Sequence, residues 1–142
     1  MKVALASDHA GFEMKVKLIE YFRLKGYEVI DLGSYSSQSV DYSDFGHEIA
    51  RHISDKKSDF GISLCGSGNG INMTANKHPL IRSALCWNVE IAELARAHND
   101  ANICALPARF ITFELAKQIA DKFLSTIFEG GRHQRRIEKI PL

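Results

Sequence analysis

The chain has 142 residues, of which 45% are hydrophobic and 25% are charged, with 18 Lys and Arg against 17 Asp and Glu. This composition is that of an ordinary globular protein. The net charge of +1 argues against a disordered chain and against a basic protein that coats nucleic acid. We therefore expect one domain over residues 1–142, with a core large enough to need neither disulfides nor a metal.

The three cysteines, Cys65, Cys86 and Cys104, are an odd number and have no CxxC spacing, so neither a disulfide framework nor a zinc site is expected. The last two lie in apolar runs and are predicted to be inert core residues. The amino-terminal residues do not resemble a signal peptide, and no apolar run is long enough to span a membrane. The expected compartment is the reducing cytoplasm, with no membrane partner.

Short apolar runs alternate with longer stretches of helical period, and this alternation predicts a series of βα units. Several runs are continuously apolar, which indicates strands buried on both faces of a parallel sheet. The fold class expected is α/β: a single-domain doubly wound sheet, Rossmann-like or flavodoxin-like, with five parallel strands and helices on both faces. The predicted strands are Lys2–Ala6, Tyr27–Asp31, Phe60–Cys65, Arg82–Cys86 and Asn102–Leu106.

Between these strands, apolar residues at helical spacing predict helices that pack on the sheet. Their faces are Phe12, Val16, Ile19 and Phe22; Phe45, Ile49 and Ile53; Ile91, Leu94 and Ala95; and Leu115, Ile119 and Phe123. The longest polar stretch, residues 32–43, is predicted to be a surface loop. Ligands of such sheets bind beyond the carboxyl ends of the strands, so the residues that follow each strand are the candidates for function.

The glycines of Gly66–Gly70 follow the third strand and precede a predicted helix. Their amides should converge at a helix N-terminus, which suits an anion or an oxyanion. Ile71 stands where the dinucleotide fingerprint GxGxxG needs its third glycine, and no GxxxxGK[ST] motif occurs. Cys65 ends the strand beside this loop, where free amides favour a reactive thiolate. The alternative is a tight turn beside an inert cysteine.

Two histidines are candidates for acid–base chemistry. Asp8-His9 closes the first strand and His98-Asn99 closes the fourth helix, so we expect both histidines to reach the same face of the sheet as Cys65. The alternative for His98-Asn99 is a helix C-cap with Asn99 in the left-handed conformation. Three other histidines, which have no suggestive neighbours, are predicted to lie on the surface: His47, His52 and His78.

Two arginines near the carboxyl terminus, Arg132 and Arg136, are four residues apart and share one helical face, a geometry that can grip a phosphate from two sides. Arg109, just past the fifth strand, is a third candidate for phosphate contact. The alternative is a solvated basic tail. With a net charge of only +1 and no interleaved aromatic residues, nucleic acid is not an expected partner.

Together these residues resemble ribose-5-phosphate isomerases of type B. The resemblance runs from Met1 to about Ile137 and rests on five separated motifs that occur in the family's order. The motifs are Asp8-His9-Ala10-Gly11-Phe12, Asp41-Tyr42, Cys65-Gly66-Ser67-Gly68-Asn69-Gly70 with Ala75-Asn76-Lys77, His98-Asn99-Asp100 and Glu129-Gly130-Gly131-Arg132-His133. The wider family includes galactose-6-phosphate isomerase subunits and enzymes that act on allose 6-phosphate.

The resemblance implies a cofactor-free, metal-free isomerisation of ribose 5-phosphate to ribulose 5-phosphate, in the pentose phosphate pathway, through ring opening and a cis-enediol. It makes Cys65 the base, His98 the group that assists ring opening, and Ser67 a hydroxyl that passes a proton between substrate oxygens. The residues that it assigns to substrate binding are Asp8, His9, Tyr42, Gly66, Ser67, Gly68, Asn69, Gly70, Asn99, Arg109, Arg132 and Arg136.

One branch of this family uses a glutamate after the last loop glycine as its base, but this chain has Ile71 there. Cys65 is therefore the only candidate base at either position. The resemblance also implies a homodimer or a dimer of dimers, in which the arm of about residues 129–142 contributes its arginines to a neighbour's site. Two alternatives stay open: an isomerase of allose 6-phosphate or galactose 6-phosphate, and a non-catalytic phosphate- or nucleotide-binding module.

Overall fold

The computed structural model describes all 142 residues and contains one five-stranded sheet. Its strands are β1 (Lys2–Ser7), β2 (Glu28–Asp31), β3 (Phe60–Cys65), β4 (Ser83–Leu85) and β5 (Ile103–Pro107). All neighbouring strands are parallel. The predicted sheet is therefore confirmed, and each predicted strand ends within one residue of the observed one.

Six helices flank the strands: α1 (Phe12–Leu24), α2 (Tyr42–Ser54), α3 (Asn69–Ala75), α4 (Val89–Ala97), α5 (Phe113–Ser125) and α6 (Arg132–Ile137). Helices α1, α4 and α5 cover one face of the sheet, while α2 and α3 cover the other, which confirms the doubly wound arrangement. The predicted loop is shorter than expected because α2 already begins at Tyr42. None of these helices combines the length and apolarity needed to cross a membrane.

Alternate residues of β1 feed two different core clusters because successive side chains of a strand point to opposite faces. Val3 and Leu5 pack among the α1, α4 and α5 side chains, whereas Ala4 and Ala6 pack against α2 and α3. All four are fully buried. Burying a Val or Leu side chain contributes roughly 1.5–3 kcal/mol, so continuous apolarity along β1 stabilises both layers at once.

The strand order is β2-β1-β3-β5-β4, which differs from the flavodoxin-like order by an exchange of the last two strands. β5 is apolar and buried at every position, so it suits the interior of the sheet. β4 has only three residues, all half-buried, as expected of an edge strand. This order places the carboxyl ends of β1, β3 and β5 side by side, and the candidate residues after them meet at this edge, here called the carboxyl edge.

Candidate active site

The loop after β3 presents backbone amides that have no acceptor in the chain. Gly68 is the N-cap of α3 and has φ +77°, and a Cβ there would lie 2.5 Å from Cδ1 of Leu85. Glycine therefore lets the strand turn directly into the helix. The amides without an intramolecular acceptor are those of Gly66, Ser67, Gly68, Gly70 and Ile71. Such a group of amides is suited to hold an oxyanion, as predicted.

Cys65 lies buried at the end of β3, directly before these amides. Its carbonyl accepts a hydrogen bond of 2.9 Å from the Ala108 N–H, which fixes the end of β3 against the chain that follows β5. Ser67 is exposed, and its hydroxyl accepts hydrogen bonds from the backbone N–H and the side-chain amide of Asn69 at 3.3 and 3.2 Å. A shielded thiol and an accessible hydroxyl thus flank the same turn.

Asp8 and His9 follow β1 beside this loop. The Asp8 N–H donates to the Leu64 carbonyl at 3.2 Å, and its carboxylate accepts from the Gly11 N–H at 3.1 Å. Nδ1 of His9 accepts a hydrogen bond of 3.2 Å from the Val40 N–H. An imidazole that accepts at Nδ1 carries its proton on Nε2, so His9 can donate Nε2–H to a ligand oxygen.

Two side chains lie against the glycines of the loop. A Cβ on Gly66 would be 3.2 Å from Nη1 of Arg109, and a Cβ on Gly70 would be 2.6 Å from the Tyr42 ring. The Arg109 N–H also donates to the Gly66 carbonyl at 3.0 Å. A guanidinium and a phenol therefore flank the loop, and the carboxyl edge brings together most of the predicted site residues. These are Asp8, His9, Tyr42, Cys65, Gly66, Ser67, Gly68, Asn69, Gly70 and Arg109.

The remaining four predicted site residues are His98, Asn99, Arg132 and Arg136. His98 is the C-cap of α4, which runs from the carboxyl end of β4 back to the amino end of β5. Arg82, directly before β4, donates from Nε to the Asn99 and Asp100 carbonyls at 3.0 Å each. The five residues of β5 separate the two edges by roughly 16 Å. The prediction that His98 reaches the face of Cys65 is therefore wrong within one chain.

The end of α4 also corrects the predicted cap. The helix ends at His98 as expected, but the residue with positive φ is Asp100, at 46°, and Asn99 is not among the positive-φ residues. The Asp100 carboxylate pairs with Arg82 at 3.0 Å and with Arg96 at 2.8 Å. Aspartate tolerates the left-handed region better than most residues, and these two ion pairs hold it there.

His98 stacks on His133 of α6, with ring centroids 4.2 Å apart and planes inclined by 12°. Oε2 of Glu129 lies 3.4 Å from Nε2 of His133 and 3.8 Å from Nε2 of His98. Burial and the neighbouring His98 lower the pKa of His133. The i, i+4 spacing of Glu129 and His133 is the sequence signal for part of this contact, and nothing in the sequence pattern links either residue to His98.

The carboxyl-terminal arm is anchored on its own chain beside α4. The Glu129 N–H donates to the Ala97 carbonyl at 3.0 Å, and Ile137 is buried. Arg132 and Arg136 lie on helix α6 at the predicted i, i+4 spacing, and both are exposed. The two arginines are therefore grouped with His98, at the edge of the sheet opposite Cys65, here called the amino edge.

The other three histidines were predicted to lie on the surface, but they are half-buried and each one contacts another side chain. Nδ1 of His47 lies 2.8 Å from Nε2 of His78, and Nε2 of His52 lies 2.8 Å from Oγ of Ser58. Burial and then His47 lower the pKa of His78, while burial and then Lys57 lower that of His52. The His47–His78 contact joins residues 31 positions apart, which no local pattern shows.

Lys15 is a buried cation that the sequence pattern does not mark. Its side chain is fully buried, and Nζ binds the Asp31 carboxylate and the Ser34 carbonyl, the latter at 2.7 Å. The Ser34 N–H in turn donates to the Ser7 carbonyl at 2.8 Å. Lys15 thus holds the start of the loop after β2 against the end of β1, next to Asp8.

Comparison with known proteins identifies the family. A family model described as Ribose/Galactose Isomerase matches residues 3–140. The crystal structure of a ribose 5-phosphate isomerase from Thermotoga maritima superimposes with a TM-score of 0.97 and is 53% identical, over 99% of this chain and 97% of that one.

Further relatives agree. Ribose-5-phosphate isomerase B of Escherichia coli K12 is 41% identical over 139 residues, covering 98% of this chain and 93% of the relative. The Mycoplasma genitalium enzyme of the same name, crystallised with bound ribulose-5-phosphate, has a TM-score of 0.92 and 41% identity, over 98% of this chain and 93% of that one. As its motifs predicted, the chain belongs to the ribose/galactose isomerase family.

Proposed function

We propose that this protein interconverts ribose 5-phosphate and ribulose 5-phosphate. The observation that carries the proposal is the buried Cys65 beside backbone amides that have no acceptor. A base next to an oxyanion site is what an enediolate intermediate requires. Relatives named ribose-5-phosphate isomerase B, one of them solved with ribulose-5-phosphate, support the choice of substrate. This reaction belongs to the non-oxidative part of the pentose phosphate pathway.

The chemistry moves protons within the substrate. The Cys65 thiolate takes the proton from C2 of the open-chain aldose, and the loop amides stabilise the negative charge on the enediolate oxygen. The same thiol returns the proton to C1, while the Ser67 hydroxyl passes a proton between the two substrate oxygens. The carbonyl thus moves from C1 to C2 with no net oxidation or reduction, so the reaction calls for no cofactor.

The other residues of the carboxyl edge fit substrate binding. The Asp8 carboxylate and the Nε2–H of His9 suit sugar hydroxyls as acceptor and donor. The Tyr42 ring bounds the loop at Gly70, and the Arg109 guanidinium lies over Gly66, where it can meet an anionic group.

We infer that a second copy of the chain completes the active site. His98, Arg132 and Arg136 lie at the amino edge, and a pentose phosphate is too short to reach them across the sheet from Cys65. In a two-fold dimer, the carboxyl edge of each chain can face the amino edge of its partner. Trp87 and Phe110 follow β4 and β5 and are 53% and 76% exposed, so they supply apolar surface for such a contact. A homodimer satisfies this requirement, and a dimer of dimers preserves it.

The competing substrates are allose 6-phosphate and galactose 6-phosphate. A coupled assay with all three sugars, without added metal or nucleotide, tests the proposal. We expect kcat/KM for ribose 5-phosphate to exceed that for either hexose by about tenfold or more, since a pocket that fits a pentose must exclude a further carbon. A preference for a hexose phosphate would support an isomerase activity but change the proposed substrate. No turnover of any sugar would favour the non-catalytic binding module.

The expected compartment remains the cytoplasm. All three cysteines are free in the structure, which supports a reducing environment.

A further inference from the structure

Three metal-binding side chains meet between α4 and the carboxyl-terminal arm. The ligand atoms of His98, Glu129 and His133 all lie within 4.8 Å of one another. Oε2 of Glu129 is 3.4 Å from Nε2 of His133 and 3.8 Å from Nε2 of His98. Ligand atoms around tetrahedral Zn²⁺, with bonds of about 2.05 Å, lie roughly 3.3 Å apart. The two observed distances are therefore close to the spacing that zinc requires.

An unpartnered nitrogen points to a ligand at the same place. His133 is only 5% exposed, and its Nε2 is buried and makes no hydrogen bond, although Oε2 of Glu129 lies 3.4 Å away. Buried polar atoms in folded proteins are almost always paired, so an orphan of this kind needs an explanation. A metal ion between Nε2 and the Glu129 carboxylate would satisfy it.

The backbone already holds two of the three side chains in place. The Glu129 N–H is bound to the Ala97 carbonyl at 3.0 Å, and the His133 N–H is bound to the Gly130 carbonyl at 3.1 Å. The imidazole rings are nearly parallel, so one ring must turn before both lone pairs can converge. His98 can turn because 38% of its side chain is exposed.

The donor set selects the class of metal. Two imidazole nitrogens and one carboxylate oxygen suit Zn²⁺ and its transition-metal neighbours, whereas Mg²⁺ and Ca²⁺ take sets of oxygen ligands. Three protein ligands leave a fourth position open to water. The positive charges of Arg132 and Arg136 act on His133 and oppose a cation there. We therefore expect reversible binding and not a permanent structural zinc.

We propose that His98, Glu129 and His133 bind one Zn²⁺ per chain and that the bound metal inhibits isomerisation of the cyclic aldose. The inhibition rests on the proposed function, in which His98 assists ring opening. Zinc occupies the Nε2 lone pair of His98, so this nitrogen can no longer accept a proton from the sugar. The proposed reaction needs no metal, but this cluster would make the enzyme sensitive to free zinc.

Titration of the metal-free protein with Zn²⁺, followed by calorimetry, tests the site directly. We expect one Zn²⁺ per chain, and binding weakened by at least about tenfold in Glu129→Gln and in His133→Gln. His78→Gln is the matched control, because it breaks the other histidine pair and should bind zinc as the wild type does. Glu129 is exposed, so Glu129→Gln keeps the test valid if the buried His133→Gln does not fold. No binding by the wild type, or unchanged binding by Glu129→Gln, would overturn the site.

The inhibition is tested separately by initial rates with ribose 5-phosphate at increasing Zn²⁺. We expect inhibition that a chelator reverses, and a zinc concentration for half-inhibition that rises by about tenfold or more in Glu129→Gln. Stoichiometric zinc binding without inhibition would overturn the inhibitory role alone. Absence of turnover in the metal-free wild type would instead overturn the proposed function, whatever the calorimetry shows.

Discussion

Cys65 is the residue on which the proposed chemistry depends most. Ile71, which takes the place of the glutamate base in another branch of the family, is fully buried and packs in the same small cluster as Cys65. An apolar side chain there cannot take a proton, but it shields the thiol from water. We therefore expect Cys65 to be indispensable for the proposed reaction.

Replacing Cys65 by alanine should lower kcat by roughly 10²- to 10⁴-fold, the usual contribution of a general base. The fold and the binding of sugar phosphate should persist, because the change removes the proton acceptor and none of the proposed phosphate contacts. Steady-state kinetics together with isothermal titration of ribose 5-phosphate measures both. Cys86→Ala is the control: this thiol is fully buried in the core cluster formed with α1, α4 and α5, not in the cluster that holds Cys65, and should be dispensable. Retention of about a tenth of wild-type turnover by Cys65→Ala would exclude the base role.

Substitution of His98 should separate ring opening from proton transfer. His98→Asn should slow turnover of cyclic ribose 5-phosphate by about tenfold or more, while enediolate formation from open-chain ribulose 5-phosphate changes little. Single-turnover kinetics from the ketose gives the second rate directly. His52→Asn, which alters a histidine bound to Ser58 instead, is the control and should affect neither rate. Equal slowing of both reactions would contradict the role in ring opening.

At the scale of elements, the loop between β2 and α2 is held by a charge that water cannot reach. Lys15 is fully buried, whereas 30% of the Asp31 side chain is exposed. The same carboxylate accepts from the Gly33 N–H at 3.0 Å, so it organises the start of the loop from both sides. Farther along, the Val40 N–H of this loop holds His9 in its tautomer. The Lys15–Asp31 pair therefore connects the stability of this loop to the orientation of His9, a proposed substrate-binding residue.

Lys15 and Asp31 are buried to different extents, so replacing one or the other should lower the free energy of unfolding by different amounts. Asp31→Asn leaves the ammonium of Lys15 buried without a counter-charge, and should lower the free energy of unfolding by about 3 kcal/mol. Lys15→Met leaves a carboxylate that reaches water and a Ser34 carbonyl without its donor, which should cost about 1–2 kcal/mol. Urea unfolding of the two variants measures the difference.

An exposed ion pair provides the control for this comparison. Nζ of Lys57 lies 3.0 Å from Oδ2 of Asp55, and both side chains are more than half exposed. Lys57→Met should therefore change the free energy of unfolding by less than about 0.5 kcal/mol. A loss in Lys15→Met equal to that in Asp31→Asn would show that the buried charge is not what stabilises the loop.

The elements also show where sequence reasoning succeeds. Every strand could be located because an apolar run with a turn after it is a local signal. The neighbours of a strand are not local, so the position of β5 between β3 and β4 does not follow from the pattern. The burial of Lys15 is hidden for the same reason, since its partner Asp31 lies 16 residues away on another element.

At the scale of the whole molecule, the predicted site divides between two edges. The motifs at Asp8, Cys65 and Arg109 lie at or just after the carboxyl end of a strand, so the rule that ligands bind beyond these ends groups them correctly. His98 ends a helix that returns to the start of the next strand, and this topology places it at the other edge. The predicted order of elements already implied that α4 ends at the amino edge. The prediction that His98 acts beside Cys65 therefore requires two chains.

Mixing two inactive variants tests whether the site is shared. We expect Arg136→Ala and Cys65→Ala each to be inactive as pure proteins, because one lacks a phosphate contact and the other the base. After subunit exchange, about half of the dimers are mixed, and each has one site built only from intact residues and one that carries both changes. Activity should therefore recover to about a quarter of that of the wild type, provided that the sites act independently.

A second mixture provides the control, because both of its changes lie at the carboxyl edge. Cys65→Ala with His9→Ala should stay inactive after exchange, since every site takes its whole carboxyl-edge set from one chain and so keeps one lesion. Exchange itself is verified by native mass spectrometry of subunits with different isotopic mass. If the mixture with Arg136→Ala also stays inactive despite verified exchange, Arg136 acts within its own chain, and the two edges do not meet across a dimer. That outcome would refute the shared site and leave the isomerase assignment standing.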